Sequence, residues 1–211
     1  MLHHIVIFII VLFCYIHISY HFKTSNELEL FSIEDPSSDR IEEVCSLRQP
    51  VTFNFETYER LDKSNISSSY STSDLQVRDG SDDNYSIPLG FNEAQKLIAV
   101  DTESKYYSEN NHTFLEETGL IKYIKEQESI LRPALTISST YDVLYGSENA
   151  HTPFRYELNY RTFYHIQNGT ADIKLCPPKY SKYLFETKDY FNNEFFSQMN
   201  PWNISDEHKS N

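Results

Sequence analysis

The sequence predicts a mainly β domain with some helix, preceded by one apolar N-terminal helix, and three observations carry that reading. An apolar run, IVIFIIVLFCYIHISY, extends from Ile5 to Tyr20 and is broken only by His17 and Ser19. Aromatics are plentiful, with 16 Tyr and 14 Phe against 5 Gly, and such side chains favour the pleated, half-buried surface of a strand. Finally, Tyr160–Gln167 and Ala171–Cys176 alternate apolar with polar residues around Asn168-Gly169. Asn-Gly is the preferred two-residue hairpin turn because both central residues need positive φ.

A chain of 211 residues suffices for one domain with its own core plus an appendage. A formal charge of −13 argues against a nucleic-acid partner, which needs clustered Lys and Arg. Of the three cysteines, Cys14 lies in the apolar run, leaving Cys45 and Cys176. No C-x-x-C or Cys/His spacing suggests zinc. Both read as small buried side chains, a disulfide between them being the lesser alternative.

Residues 1–22 read as a membrane anchor, giving a single-pass membrane protein through residues 5–20. A bilayer-spanning helix needs roughly 17–25 apolar residues, so the run is at the short end. A cleaved signal peptide has the same signature, although no Lys or Arg precedes the run and no A-x-A pattern follows it. Lys23 and Arg40 favour a cytoplasmic domain, whereas sequons at Asn65, Asn84, Asn111, Asn168 and Asn203 suit a lumenal one. The side therefore stays open.

Residues 23–44 are polar and acidic and read as a stalk, with Leu28, Leu30 and Phe31 available to dock on the domain, residues 45–211. Val51–Phe55 is a candidate strand, Ser64–Asp74 a surface loop by composition, Leu75–Arg78 a short strand and Asp79–Ser86 an acidic loop. Phe91, Ala94, Leu97 and Ile98 have helical spacing and predict a helix over Phe91–Val100. Thr113 and Glu116 form a capping-box pattern for a helix over Thr113–Thr118, and Gly119 stands where its C-terminal cap belongs. Ile121 and Ile124 extend helical spacing toward Pro133. His112 and His208 read as loop residues. Pro177-Pro178 ends the predicted hairpin, because proline lacks the N–H that a ladder requires.

Several of these pieces occur together in a known family. TPFRYE (Thr152–Glu157), FYHIQNG, IKLCPPKYSKYL, LRQPVTF (Leu47–Phe53) and LQVRD (Leu75–Asp79) resemble the cupin-like domains related to the JmjC oxygenases. YYSENN (Tyr106–Asn111), FLEETGL and PFRYELNYR look most like an uncharacterised branch found in large DNA viruses and algae. The resemblance runs from about Cys45 to Trp202. It implies a double-stranded β-helix (jelly roll) holding Fe(II) on two His and one carboxylate, with 2-oxoglutarate as co-substrate; such a triad leaves metal positions open.

Matched position by position, most of that site is absent. Arg155 stands at the first His and cannot ligate iron, Glu157 stands at the carboxylate, and Ala171 stands near the lysine that grips the co-substrate. Thr152, a co-substrate contact in relatives, is retained. The family's second His belongs to a later strand than Asn211 reaches, so the expectation is a jelly roll incomplete at its C-terminus, with unpaired sheet edges.

His151, Glu157 and His165 could form a rearranged metal site, or serve as ordinary polar residues on strands. Arg155 and Glu157 alternate onto one strand face and could pair there in place of a metal. Tyr156, Tyr160, Phe163 and Tyr164 could line a ligand pocket or belong to the core. The favoured function is a non-catalytic binding or scaffold role at a membrane. One alternative is an Fe(II)/2-oxoglutarate hydroxylase whose remaining ligands lie past Asn211 or come from His151. Another is a glycan- or protein-binding module. A protein partner or self-association is a further expectation.

Overall fold

The computed structural model describes residues 2–55, 70, 72–80, 82–190, 194–197 and 199–202. Helix α1, Leu2–His21, is 20 residues long, about 30 Å at the usual rise of roughly 1.5 Å per residue. Its stretch Leu2–Tyr20 is long and apolar enough to cross a membrane, and none of its residues is buried in the rest of the chain. A signal sequence passes the same test.

The stretch read as a stalk contains regular structure. Strand β1, Phe31–Ile33, pairs in parallel with β2, Val51–Phe53. Between them lies α2, Ser38–Cys45, whose first turn is capped by the Ser37 hydroxyl accepting from the Arg40 N–H. Ile33, Ile41 and Val44 are buried together, and Phe31, Val51, Phe53 and Phe163 pack on them. Phe31 docks as expected, whereas Leu28 and Leu30 stay exposed.

The main sheet has the order β4-β3-β5-β6, all antiparallel. Its strands are β3 (Asp74–Asp79), β4 (Asp82–Gly90), β5 (Tyr106–Ser108) and β6 (Tyr145–Gly146). Leu75 and Val77 alternate onto one face and pack against α3, Phe91–Val100, and α4, His112–Glu117. Phe91 and Phe114 stack at 5.5 Å. The span of α3 is the one its 3.6-residue periodicity predicts.

Three local expectations are corrected here. Residues 79–86 are not an acidic loop: β4 begins at Asp82 after a tight turn at Gly80, whose N–H donates to Lys105 O at 2.7 Å. Pro88 is tolerated in β4 because that strand lies at the sheet edge. The capping box at Thr113 does not form. The helix starts one residue earlier, at His112, and His112 is accordingly a helical residue whose Nε2 lies 3.3 Å from the Glu116 carboxylate. Gly119 does adopt the left-handed conformation of a C-terminal cap, with φ +73°, and helix α5, Ile121–Gln127, follows it. Of the Ser64–Asp74 loop, residues 64–69 and 71 lie outside the described residues.

The largest correction concerns the hairpin. Gly169 has φ +83° but Asn168 does not share the positive φ that the turn needs at both central residues, and Tyr160–Gln167 and Ala171–Cys176 form no ladder. A two-stranded hairpin whose apolar face is not covered is marginal in water; here Phe163 alone of these apolar side chains packs on the β1–α2–β2 core, while Ile166, Ile173 and Leu175 stay about half-exposed.

After a 3-10 turn at Pro178–Tyr183, strands β7 (Glu186–Asp189) and β8 (Glu194–Ser197) pair antiparallel. Phe154–Tyr156 runs beside β8, through Ser197 N to Phe154 O and Tyr156 N to Phe195 O. Outside α1, α-helix and strand take up similar shares of the described residues, so the rest of the chain is mixed α/β rather than mainly β. Cys45 and Cys176 are half-buried free thiols.

Candidate functional site

Strand β3 presents Leu75 and Val77 to the helices, so Gln76 and Arg78 fall on its opposite face. Tyr107 sits directly across from Arg78 in the ladder with β5. At the end of β5 the chain turns through Ser108-Glu109-Asn110-Asn111, and Ser108, Glu109 and Asn111 are each no more than 2% exposed. Polar groups this deep must be bonded, and they are. Asn111 Nδ2 donates to Ser108 Oγ at 2.8 Å and to Val143 O at 2.7 Å, while its Oδ1 accepts from the Gln76 N–H at 2.8 Å. Asp142 closes the turn, accepting from the N–H groups of Asn110 and Asn111 at 2.8 and 2.6 Å. A sequon acceptor engaged in this way is not available to a glycan in the folded chain.

Glu109 is held between two arginines. Arg155 Nη1 donates to Oε2 at 2.5 Å and Nη2 to Oε1 at 3.1 Å, a two-pronged contact of the strongest kind. Arg78 Nε lies 3.1 Å from the same Oε1. The side chains of Arg78 and Glu109 are 11% and 3% exposed, and that of Arg155 is 29%. Burial works against the charge of Arg155, but Glu109, through its charge and its hydrogen bonds, outweighs it and holds the guanidinium more firmly protonated than usual. The predicted partner of Arg155 was Glu157; the partner found is Glu109, from a distant part of the chain. Glu157 is exposed and contributes only a secondary attraction.

The donor set does not fit a metal. A guanidinium cannot ligate one, and both oxygens of Glu109 are engaged. The sequence candidates are dispersed. His151 Nε2 lies 2.7 Å from Asn200 Nδ2. His165 Nδ1 lies 2.9 Å from Gln167 Nε2, its ring meets Phe55 edge-on, and burial lowers its pKa. Among the described residues no three His, Cys, Asp or Glu side chains gather into a metal-holding group. Thr152 is half-buried and Ala171 is exposed. No family model, curated protein or solved structure matches the chain.

The four aromatic candidates go to different places. Phe163 packs edge-on against Phe53 in the smaller core. Tyr156 stacks on Phe195 at 4.9 Å. Tyr160 lies under the Arg48 guanidinium, 4.0 Å from ring centre to Cζ. Tyr164 stands near the ion pair, its hydroxyl pKa raised by burial and by Glu157, Glu109 and Asp142, against the opposing pull of Arg155.

Sequence reasoning singled out Arg155 but missed Glu109, Arg78, Asn111 and Asp142. The available signal was a glutamate set among Ser and Asn directly after a strand, in YYSENN, together with the arginine of LQVRD. Neither says which distant residues will meet.

Proposed function

We propose that this chain is a membrane-tethered, cupin-like domain of the JmjC-related kind that binds or scaffolds rather than catalyses. The observation that carries the reading is the bidentate Glu109–Arg155 contact, reinforced by Arg78. The resemblance puts Arg155 where relatives hold a metal ligand, and here that side chain is locked by a carboxylate into a structural ion pair. A guanidinium cannot ligate a metal, and both oxygens of Glu109 are taken up by guanidinium donors. Ala171 supports the same reading, because an exposed methyl cannot grip the far carboxylate of 2-oxoglutarate. The tether is α1, which has the length and apolarity of a membrane span.

The test uses the full chain purified in detergent under anaerobic conditions. Fe(II) binding is measured with and without 2-oxoglutarate, alongside 2-oxoglutarate turnover and a Glu157→Ala control. The expected result is no turnover above the protein-free blank and no iron retained by a folded sample. Tight iron binding that depends on Glu157, or turnover, overturns the proposal and installs the hydroxylase reading.

A further inference from the structure

Residues 173–185, IKLCPPKYSKYLF, carry three lysines and no acidic residue in a chain of formal charge −13. Their 3-10 turn, Pro178–Tyr183, leaves Lys179 and Lys182 exposed. Tyr180, Tyr183 and Phe185 are 46%, 45% and 40% exposed. Each lysine leans over its neighbouring tyrosine, with Nζ 4.9 Å from the Tyr180 ring centre and 4.7 Å from that of Tyr183.

This turn sits at the foot of α1. The Lys179 N–H donates to Asn26 Oδ1 at 2.9 Å, and Asn26 follows closely on the last residue of the helix. A second tie lies nearby in the sequence of contacts. Arg48 Nη2 donates to Tyr20 O at 3.1 Å and Nη1 to Tyr160 O at 3.2 Å, while its guanidinium lies over both the Tyr20 and the Tyr160 rings. Arg48 thus supplies a cation and a donor where the last carbonyls of α1 need them. It does so with φ +60°, a conformation uncommon for a residue with a side chain.

Lysine and tyrosine side by side at the end of a spanning helix is the composition of a membrane-water interface. The ring takes the apolar side of that boundary, and the ammonium and hydroxyl take the phosphate side. We propose that the Lys179–Phe185 collar is a headgroup-binding surface that lays the domain against the bilayer, its ligand being the phosphate of an anionic lipid. The inference rests on the tether proposed above. Glu27 and Glu29 border the collar in the sequence that leaves α1, so the attraction is local and is weakened by salt, within a screening length of about 8 Å at physiological ionic strength.

The full chain is reconstituted into nanodiscs of phosphatidylcholine alone and of phosphatidylcholine mixed with phosphatidylserine, and amide hydrogen exchange is followed by mass spectrometry. The turn is short, 3-10 and exposed, so lipid contact is legible there as protection. The expected result is several-fold slower exchange of 178–185 in the anionic discs, abolished in a Lys179→Glu/Lys182→Glu variant. Amides of Leu75–Val77 stay protected throughout and report folding. Equal exchange of 178–185 in both lipids, with the β3 amides protected, overturns the proposal while leaving the tether intact. Loss of the chain from vesicles on alkaline carbonate extraction overturns the tether and the collar together. Should the double charge reversal expose the β3 amides, Tyr180→Ser/Tyr183→Ser takes its place, with the same loss of protection expected.

Discussion

Two stretches of this chain have similar sequence character and opposite fates. In β3, Leu75 and Val77 alternate with polar residues and are 1% and 4% exposed. In Tyr160–Cys176 the same alternation leaves Ile166, Ile173 and Leu175 at 48%, 61% and 52%. The difference is what each meets. Strand β3 has β4 and β5 on its flanks and α3 and α4 over its apolar face, so burial and ladder bonds reinforce one another. The later runs meet the β1–α2–β2 unit only at Phe163 among these apolar side chains, and the face carrying Ile166, Ile173 and Leu175 stays open. Alternation specifies which side chains share a face, but a face becomes buried only when another element supplies its other half.

The sharpest way to break the first region is to remove the charge at its polar centre. Glu109→Gln keeps the shape of the side chain and leaves Arg78 and Arg155 facing an amide. Removing one partner of a buried ion pair costs about 3–5 kcal/mol, and the partial exposure of Arg155 keeps the loss toward the lower end. Urea unfolding of the detergent-solubilised chain measures it. A loss below about 1 kcal/mol, the scale of an exposed salt bridge, would mean that the pair is solvated and does not organise the site.

The packing contrast itself is tested by a matched pair of leucines. Leu115 is fully buried beneath the main sheet, and Leu115→Ala is expected to cost about 2–5 kcal/mol through lost burial and a residual cavity. Leu175→Ala, on the half-exposed run, is expected to change stability by no more than about 0.5 kcal/mol. Comparable losses at both positions would mean that the second run is covered after all, and the hairpin expected from Asn168-Gly169 would return.

The sequence made legible those elements whose signal is local. The α3 periodicity, the Gly119 cap, the apolar length of α1 and the strand at Leu75–Arg78 all depend on residues within a few positions of one another. What was not legible depends on long-range meetings. Glu109 finds Arg155 across 46 positions, and nothing near either residue announces the other. Of the β1–α2–β2 unit only β2 was legible, within the expected strand Val51–Phe55; β1 and α2 were obscured because a three-residue strand and an eight-residue helix are too short for periodicity to register, and the acidic residues around them dominate the composition. The capping box at Thr113 failed for a related reason: Asn111, two residues earlier and at the N-cap position, is bound into the polar knot under β3.

The smallest expected effect is a pH dependence that couples the two regions. The Asp101 carboxylate accepts from the Ser147 hydroxyl at 2.7 Å and from the N–H groups of Lys105, Tyr106 and Glu103 at 2.7, 2.9 and 2.9 Å. The Ser147 bond first, then that of Tyr106, hold its pKa well below the usual carboxylate range against the opposing effect of burial. Because the folded value lies below the unfolded one, of about 3.9, the carboxylate stabilises the fold fully above roughly pH 4–5 and progressively less as pH falls through the depressed folded value. Ser147 opens the irregular segment that leads from β6 toward the second region and Asp101 closes α3, so this bond pins that segment to the first region. Ser147→Ala is therefore expected to raise the midpoint of acid unfolding modestly and to leave neutral-pH cooperativity intact, as followed by near-ultraviolet circular dichroism between pH 2 and 7. An unchanged acid midpoint would mean that the backbone N–H groups alone hold the carboxylate.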